Sequence, residues 1–279
     1  MPSTNHHFWI GTNHTVCEDY AISGITPYGT PYAVVCDGCS SSPDTDFGAR
    51  ILARAAVRHI QQLPSTEVFA YSVISEMETM LRAVDMPLHS GDATLLVAAV
   101  INEKLYVNCF GDGALAFVYD DGYLAIDYEY PSGAPFYLNY RNDKRRMAQY
   151  MENYGTEVVS RHVSTVCEDK WLVTEAGQGI FNSGVQRYAP DVGLHGLKGV
   201  VLMSDGIKTF SDPDQGNTYT TRSVVDWREI IDEVLSFKTF KGDFVLRRCS
   251  RMMKNYNKVG RSNSDDVSVA AIFLDNNDG

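Results

Sequence analysis

The sequence has no long hydrophobic run. The longest uninterrupted apolar stretch extends from Leu95 to Ile101, whereas a membrane-spanning helix needs about 20 apolar residues. The N-terminus has neither the basic start nor the apolar segment of a secretory signal. We therefore expect a cytoplasmic protein that has no membrane partner.

Positive charge and cysteine are also scarce. The 279 residues include 24 Lys and Arg against 35 Asp and Glu, which gives a formal net charge of −11. Binding to a nucleic-acid backbone requires a basic surface, so we expect no nucleic-acid partner. The six cysteines are scattered, and Cys36-x-x-Cys39 has no second Cys or His pair that would complete a zinc site. No linker divides the chain, and we predict a single domain over residues 1–279.

Five short acidic segments lie directly before or after runs that can form β-strands. Carboxylates from such distant segments would repel one another if a fold gathered them without a counter-charge. Their oxygens are the ligands that hard divalent cations prefer. We therefore predict that these strand ends converge on a metal cluster, although each Asp-Gly pair by itself also fits a tight turn. The segments are Cys17-Glu18-Asp19, Val35-Cys36-Asp37-Gly38, Phe110-Gly111-Asp112-Gly113, Met203-Ser204-Asp205-Gly206 and Ser264-Asp265-Asp266-Val267.

Short hydrophobic runs predict two antiparallel, strand-rich layers. The gaps at Asn102-Glu103 and Asp120-Asp121-Gly122 have the length of hairpin loops. We interpret His6 and His7 as part of a mobile terminus. The predicted strands are Tyr32–Cys36, Thr94–Ile101, Lys104–Phe110, Ala114–Tyr119, Tyr123–Ile126, Lys170–Thr174, Val200–Met203 and Val267–Leu274.

Amphipathic segments predict helices that cover the outer faces of these layers. One begins at Asp44 or Thr45, with Phe47, Ile51, Leu52, Ala55 and Ile60 on its buried face. A second extends from Ser65 to about Ala83, with Val68, Tyr71, Ile74, Met77 and Leu81 buried. The other predicted helices are Asp226–Phe237, about Asp243–Tyr256 and a segment around Asp143–Asn153.

The order of these motifs resembles that of the metal-dependent protein serine/threonine phosphatases of the PP2C type (the PPM family), in a divergent bacterial and phage-like branch. The resemblance extends from about Gly11 to Leu274, and it depends on five motifs in order, each of them weak alone. They are Glu18-Asp19-Tyr20, Ala33-Val34-Val35-Cys36-Asp37-Gly38, Gly91-Asp92-Ala93-Thr94 with Gly111-Asp112-Gly113, Val201-Leu202-Met203-Ser204-Asp205-Gly206, and Asp265-Asp266-Val267-Ser268-Val269.

The resemblance implies an α/β fold (α+β), a four-layer αββα sandwich of two antiparallel sheets flanked by helices. It also implies two Mn²⁺ or Mg²⁺ ions between the sheets, with a place for a third, weaker one near Asp112 and Asp205. Asp37 would bridge the two main ions, and Asp19 would order bound water rather than bind metal. The metal ligands implied in this way are Glu18, Asp37, the carbonyl of Gly38, Asp112, Asp205 and Asp265.

Two positions depart from the family pattern. His14 lies where many members have an arginine that holds the substrate phosphate, and Cys39 lies where many eukaryotic members have histidine. Histidine cannot make the forked contact of an arginine. Asp37, Asp205 and His14 are the candidate catalytic residues, and His14 is also the candidate substrate contact. Four residues could take the place of the missing arginine and histidine, and the sequence does not choose between them: Lys208, Arg50, Arg161 and His162.

The function implied by the resemblance is hydrolysis of phosphoserine and phosphothreonine in proteins by a metal-activated bridging water. The partner would then be a phosphoprotein substrate, and a variant of this hypothesis adds a cognate Ser/Thr kinase in a bacterial or phage signalling switch. The alternative is a pseudophosphatase, a binding module that keeps the fold without turnover. Retention of all the carboxylates favours the enzyme, because a binding module has little reason to keep clustered negative charge.

Overall fold

The computed structural model of the protein describes residues 2–155, 158–166, 185–192, 196–213 and 223–274. Hydrophobic runs separated by turn-sized gaps form the strands, as the sequence predicts. The strands are β1 (Ser3–Trp9), β2 (Tyr20–Ile25), β3 (Pro31–Cys36), β4 (Leu95–Ile101), β5 (Lys104–Phe110), β6 (Gly113–Tyr119), β7 (Gly122–Glu129), β8 (Val159–Ser164), β9 (Val185–Tyr188), β10 (Leu197–Met203), β11 (Phe210–Ser211), β12 (Ser262–Asn263) and β13 (Val267–Phe273).

Two large antiparallel sheets are built from these strands. The first has the order β1-β13-β10-β6-β7-β8 and the second has the order β2-β3-β4-β5-β9, while β11 and β12 form a separate short ladder. The helices lie outside the sheets. They are α1 (Thr45–Arg58), α2 (Thr66–Ala83), α3 (Lys144–Asn153), α4 (Trp227–Leu235) and α5 (Phe244–Lys258).

Three hydrophobic layers stabilise this arrangement. One lies between the two sheets, a second lies between the second sheet and α1 and α2, and a third lies between the first sheet and α4 and α5. The predicted four-layer αββα sandwich is therefore confirmed. Representative buried residues, layer by layer, are Leu96, Phe117 and Leu202; Leu52, Phe69 and Met77; and Ile230, Val245 and Met252.

The strand register brings the acidic segments to one edge of the sandwich. In antiparallel pairs the end of one strand lies beside the start of the next. Cys36 pairs with Tyr20, so Asp37 and Asp19 flank the same end of the second sheet. In the first sheet Met203 pairs with Val269 and with Ala114, which groups the segments that carry Asp205, Asp265 and Asp112.

The buried face of α2 was predicted wrongly. Val68 and Tyr71 are 52% and 76% exposed, whereas Phe69, Ala70 and Val73 are buried. The helix is apolar on more than one face, so periodicity alone did not decide which stripe contacts the sheet. Ile74, Met77 and Leu81 are buried, as predicted.

Phe47 in α1 is also exposed, at 58%, contrary to the prediction. Small residues make up much of the buried face of this helix and let its backbone approach the neighbouring chain closely. A Cβ atom added at Gly48 would lie 1.5 Å from the Ser90 carbonyl oxygen. Ala49, Ala53 and the predicted Leu52 are buried beside it.

His6 and His7 are not part of a mobile terminus. They lie in β1, where they pair with Ala270 and Val269 of β13, and His6 Nδ1 is 3.0 Å from Ser23 Oγ. The composition of β1 is largely polar, which hid the strand from a search for hydrophobic runs. The polar strands β8 and β9 were missed for the same reason, and the predicted strand at residues 170–174 falls outside the described residues. No helix within the described ranges is long and apolar enough to cross a membrane.

Candidate metal centre

Asp37 follows β3 in a loop that the Gly91-Asp92-Ala93-Thr94 motif holds in place. The backbone N–H of Asp37 donates to Thr94 Oγ1 at 3.1 Å, and the Thr94 N–H donates to the Asp37 carbonyl at 2.8 Å. These reciprocal bonds join the end of β3 to the start of β4. They fix the backbone of Asp37 and therefore the direction in which its side chain leaves the sheet.

The Asp37 carboxyl group is surrounded by other carboxyl groups. Burial raises its pKa well above the ordinary value, and the nearby charges of Asp19, Asp205 and Asp112 raise it further. Asp37 and Asp205 are close enough to share a hydrogen bond. Four separate segments thus deliver their aspartates to one place.

Asp19 lies at the inner wall of this cluster. It is 1% exposed, and neither of its carboxylate oxygens has a partner with hydrogen-bond geometry in the described part of the chain. Burial raises its pKa, while the nearby hydroxyls of Ser204 and Ser268 oppose that shift. A buried carboxylate with unused acceptors is costly unless it is neutralised or bonded.

Asp265 and Asp266 are adjacent in sequence but occupy different environments. Asp266 is 2% exposed and accepts hydrogen bonds from the backbone N–H groups of Gly11 at 2.7 Å and Glu18 at 2.6 Å. The Asp265 side chain is 39% exposed, and its pKa is raised by burial and by the charge of Asp205. Asp265 is therefore the residue of the two that faces the cluster, whereas Asp266 ties the start of β13 to the segment before β2.

His14 bridges these two aspartates. Its Nδ1 atom is 3.1 Å from Asp266 Oδ2 and 3.7 Å from Glu18 Oε2, and its Nε2 atom is 3.3 Å from Asp265 Oδ1. Nδ1 faces the buried carboxylate of Asp266, and this contact fixes the orientation of the ring. Nε2 is the atom directed towards the cleft side of the cluster.

Glu18 is oriented by two hydroxyl groups. Its Oε2 atom accepts a hydrogen bond from Ser40 at 2.6 Å and its Oε1 atom accepts one from Thr45 at 3.2 Å. An open cavity of about 430 Å³ lies beside it, so the centre is accessible from this side. The residues that line this cavity are Asn13, His14, Thr15, Val16, Glu18, Ser40, Asp44, Thr45 and Asp46.

Lys208 ends the 3-10 turn that begins at Asp205. Its Nζ atom is 3.1 Å from Asp127 Oδ1 and 3.1 Å from Glu129 Oε1. Burial and the charge of Asp205 raise the pKa of Asp112, and the positive charge of Lys208 acts in the opposite direction.

Glycine is required beside two of the candidate ligands. A Cβ atom at Gly38 would lie 2.9 Å from the Glu18 carbonyl oxygen and 2.9 Å from Thr45 Cβ. A Cβ atom at Gly206 would lie 1.8 Å from the Asp266 carbonyl oxygen. The Asp-Gly pairs therefore do more than turn the chain, because they allow segments that carry different carboxylates to approach each other closely.

The donor set fits hard divalent cations. In the described ranges no three His, Cys, Asp or Glu side chains already have the spacing of a finished metal cage. Buried Asp19 and its partly buried neighbours Asp37 and Asp112 nevertheless gather several carboxyl groups in one place. Carboxylate oxygens of this kind suit Mn²⁺ or Mg²⁺.

An aromatic segment closes the centre beside Cys39. Tyr137 is 8% exposed; burial raises its pKa, and the neighbouring Cys39, Asp37 and Asp112 raise it further. Cys36 is buried and Cys39 is partly exposed, and both thiols are free. The two thiols are not joined in a disulfide; Cys36 ends β3, and Cys39 lies in the loop that follows it.

Asp92 fastens this aromatic segment to the sheet. It is 1% exposed and accepts two hydrogen bonds from Arg146, at 3.1 and 2.6 Å. Asn139 and Ser42 donate to the same carboxylate at 2.7 and 3.0 Å. The second residue of the Gly-x-x-Thr motif is thus a structural anchor, which the sequence alone did not indicate.

The contacts of the other candidate cations described next are with residues outside the aspartate cluster. Arg50 lies over the rings of Phe8 and Tyr20, at 5.7 and 5.1 Å from their centroids. Arg161 forms ion pairs with Asp127 and Glu129. The His162 ring contacts Ser160 Oγ at 3.1 Å. Of the four candidate substitutes, Lys208 shares a 3-10 turn with Asp205, and its charge opposes the rise in the pKa of Asp112.

Sequence reasoning missed Asp127, Ser204 and Ser268 as neighbours of the centre. Ser204 and Ser268 lie inside motifs already recognised, and their hydroxyls could have been read as partners for Asp19. Asp127 directly follows a predicted apolar strand. A charged residue at such a position could have indicated that Asp127 lies near the centre.

An acidic centre between two antiparallel sheets, with helices outside both, is typical of metal-dependent phosphatases of the PP2C type. The family model described as "Protein phosphatase 2C" matches residues 11–129. This range includes Glu18, Asp37, Gly38 and Asp112. No curated protein sequence matches the chain.

Solved structures with the same fold come from bacterial phosphatases. A bacterial serine phosphatase in which one arginine is replaced by glutamate is 11% identical to this chain. Its TM-score is 0.59 over 98% of this chain and 99% of that one. The serine/threonine phosphatase Stp1 from Staphylococcus aureus is also 11% identical, with a TM-score of 0.58 over 98% and 95% of the two chains. The serine/threonine phosphatase of S. agalactiae is 10% identical, with a TM-score of 0.57 over 98% and 100%.

The family model and these folds therefore confirm the resemblance to the PP2C-type phosphatases. The family match supports a serine/threonine phosphatase function in general terms. At about 11% identity the structural comparisons show the fold alone.

Proposed function

We propose that the protein hydrolyses phosphoserine and phosphothreonine in phosphoproteins with the help of two bound Mn²⁺ or Mg²⁺ ions. The observation that supports this most strongly is the cluster around Asp37, in which three further aspartates from distant segments raise its pKa. A purely structural protein gains nothing from such a buried excess of negative charge. A cytoplasmic enzyme of one domain, acting opposite a Ser/Thr kinase, fits this proposal.

The residues would divide the binding of the ions among them. Asp37 would bridge both ions, Asp205 and Asp265 would complete one site, and Glu18 with the carbonyl of Gly38 would complete the other. Two bound dications would neutralise the phosphate and lower the pKa of a water molecule for in-line attack on phosphorus.

The remaining polar groups would orient water and substrate. Asp19, a buried carboxylate beside the Ser204 and Ser268 hydroxyls, would accept hydrogen bonds from ordered water and hold it in place. His14 has Nδ1 directed at buried Asp266 and Nε2 3.3 Å from Asp265 Oδ1, so Nε2 would bind a phosphate oxygen in place of its contact with Asp265. One histidine donor would hold the phosphate less rigidly than a forked arginine contact.

The proposal is tested by phosphatase assays on the purified full chain. We expect hydrolysis of p-nitrophenyl phosphate and of a phosphothreonine peptide with Mn²⁺, and loss of both activities on chelation. Asp37→Asn should lower kcat by at least about a hundredfold while the protein stays folded. Asp191→Asn is the matched control, because Asp191 is half exposed and pairs with Lys104 at the opposite end of β5.

Two outcomes would contradict the proposal. Activity that survives complete chelation would exclude the metal-dependent mechanism. A folded protein that binds Mn²⁺ but hydrolyses neither substrate would favour the alternative, a pseudophosphatase that serves as a binding module.

A further inference from the structure

One short segment concentrates positive charge in a chain that is acidic as a whole. Residues 238–258 contain seven of the 24 lysines and arginines but a single acidic residue, Asp243. The rest of the chain is therefore even more acidic than the net charge of −11 indicates. The proposed phosphatase function gives this segment no role. Its cations are Lys238, Lys241, Arg247, Arg248, Arg251, Lys254 and Lys258.

Four of these cations form a stripe along the outer face of α5. They are exposed and follow one another at intervals of four, three and four residues, which keeps them on one side of a helix. The buried residues of the helix include a second stripe with the same spacing that starts two residues earlier, about 200° away around the axis. The apolar face thus packs on the first sheet, and the opposite face presents the cations to solvent. The outer stripe is Arg247, Arg251, Lys254 and Lys258, and the inner one is Val245, Cys249, Met252 and Tyr256.

The outer stripe does not stabilise the helix. Like charges three or four residues apart on a helix repel one another and lower its stability. The first turn of α5 has no acidic residue, and only Lys258, in the last turn, is placed to gain from the helix dipole. Among the residues that the structure describes, Arg248 is the one cation of the segment with an ion pair, which it forms with Glu233. The charge of the other six is therefore available to a partner.

A small cavity lies where the loop before α5 meets the helix. Its volume is about 60 Å³, and none of its described lining residues is acidic. Arg247 Nη2 donates to the Lys241 carbonyl at 2.5 Å, which ties the loop to the helix. Typical ligand pockets have about 300–1,000 Å³, so this cavity suits a single carboxylate group. The cations that line it are Lys238, Arg247, Arg248 and Arg251.

We propose that the α5 stripe, together with Lys238 and Lys241, is a docking surface for an acidic protein segment in an extended conformation. This inference does not depend on the proposed phosphatase function. From Arg247 to Lys258 the stripe extends over about 16 Å of helix, which is the length of about five residues of extended chain. Alternate residues of such a chain lie on one side, about 6.6 Å apart, close to the spacing of about 4.5–6 Å between successive cations. Asp or Glu at alternate positions would therefore meet the cations in turn, and one of them would enter the cavity.

The charge of the whole protein favours a short protein segment over a long polyanion. A nucleic acid or an anionic membrane extends well beyond a stripe of this length. It would then approach the acidic remainder of the chain, which repels it. A segment of five or six residues can lie within the stripe.

Binding of a labelled peptide to the full chain, measured by fluorescence anisotropy, tests the inference. The probe is a fluorescein-labelled peptide of eight residues in which Glu and Ser alternate. We expect the wild type to bind this peptide, with an affinity that falls as salt is added, and not to bind the same peptide with Gln in place of Glu. Replacing Arg251→Gln and Lys254→Gln together should weaken binding at least about tenfold.

Two further double variants separate a docking surface from a general effect of charge. Lys144→Gln with Arg145→Gln removes the same charge from exposed positions of α3 and should change the affinity less than about twofold. Arg251→Lys with Lys254→Arg keeps the charges and should bind as the wild type does. The neutralised α5 variant should also unfold at a temperature no lower than that of the wild type, because it loses like-charge repulsion. A lower unfolding temperature would indicate a structural role instead and overturn the inference.

Photo-crosslinking to the wild-type chain tests the inference even if the neutralised variant fails to fold. A benzophenone-labelled form of the Glu-Ser peptide should form adducts within residues 238–258. Adducts elsewhere, no binding by the wild type, or an equal loss in the α3 control would overturn the inference. Tighter binding of single-stranded DNA of the same charge, or of phosphatidylserine vesicles, would also overturn it, in favour of another class of partner. Phosphatase activity is not measured in these experiments, so each of these outcomes leaves the proposed function intact.

Discussion

The carboxylate of Asp266 accepts the backbone N–H of Glu18 at 2.6 Å, although 248 positions separate the two residues. The same carboxylate also accepts the Gly11 N–H at 2.7 Å and faces His14 Nδ1 at 3.1 Å. One buried side chain near the end of the chain therefore positions the segment that carries Glu18 and His14. This contact makes the geometry of the candidate centre depend on the completed fold.

Replacing Asp266 should cost stability, whereas replacing its neighbour should not. Asp266→Ala removes the acceptor of two backbone N–H groups, one buried and one partly buried, and is expected to lower the free energy of unfolding by about 3–5 kcal/mol. Asp265→Ala, at a side chain 39% exposed, should cost less than about 1 kcal/mol and should weaken Mn²⁺ binding instead. Urea denaturation and Mn²⁺ titration of both variants measure the difference. Equal losses of stability would contradict the separate environments of the two aspartates.

Removing one carboxylate from the cluster should stabilise the metal-free protein. Asp37→Asn replaces a partly buried carboxyl group whose ionisation is opposed by its acidic neighbours, so the unfolding free energy without metal should rise by about 1–2 kcal/mol. Thermal unfolding in the presence of a chelator measures this change. Added Mn²⁺ should stabilise the wild type more than the variant, because the variant has lost the proposed bridging ligand. A destabilised metal-free variant would argue against repulsion within the cluster.

The stability of the metal-free protein should also depend on pH, because the contribution of the acidic cluster becomes more favourable as the pH falls. Burial and Asp205 raise the pKa of Asp112 to about 7, and burial raises that of Asp37 as well. A carboxyl group with a raised pKa in the folded state binds protons more strongly there than in the unfolded chain. Its unfavourable contribution to the free energy of unfolding is fully present above pH 7. This contribution declines as the pH falls towards 4.

This pH dependence can be measured by urea denaturation in the presence of a chelator. Between pH 8 and pH 5.5 we expect the cluster to contribute increasing stability. Asp112→Asn should flatten the profile relative to the wild type. A wild-type profile that falls steadily with decreasing pH, and that Asp112→Asn leaves unchanged, would contradict the prediction.

The attachment of the aromatic segment should depend on one ion pair. Arg146→Met leaves Asp92, which is 1% exposed, without its two guanidinium hydrogen bonds. Asn139 and Ser42 still donate to it, so we expect a loss of about 2–3 kcal/mol rather than complete unfolding. Hydrogen exchange should locate the increased opening in residues 130–155.

Arg145→Met is the matched control for that prediction. It removes the same charge from the next position of α3, where the side chain is exposed, and should change stability by less than about 0.5 kcal/mol. Similar losses in the two variants would mean that the helix itself, and not the bond to Asp92, was affected.

Much of the fold could be predicted from local pattern. Hydrophobic runs and hairpin gaps located most strands of both sheets, and the ends of β5 agree with the prediction at both residues. The polar strand β1 could not be found this way, since its pairing with β13 depends on a partner more than 250 residues away. The buried face of α2 was likewise decided by contact with the sheet, because Val68 and Phe69 are equally apolar by themselves.

The sequence by itself determined which carboxylates are available and that they follow or precede strands, because residue type and hydrophobic period are local properties. Tertiary structure alone decided which of them meet. It separated Asp265, near Asp205, from Asp266, which is buried against backbone N–H groups, and it directed Lys208 towards Asp127. These choices depend on antiparallel register and on burial, which arise only when distant strands pair and their side chains lose contact with water.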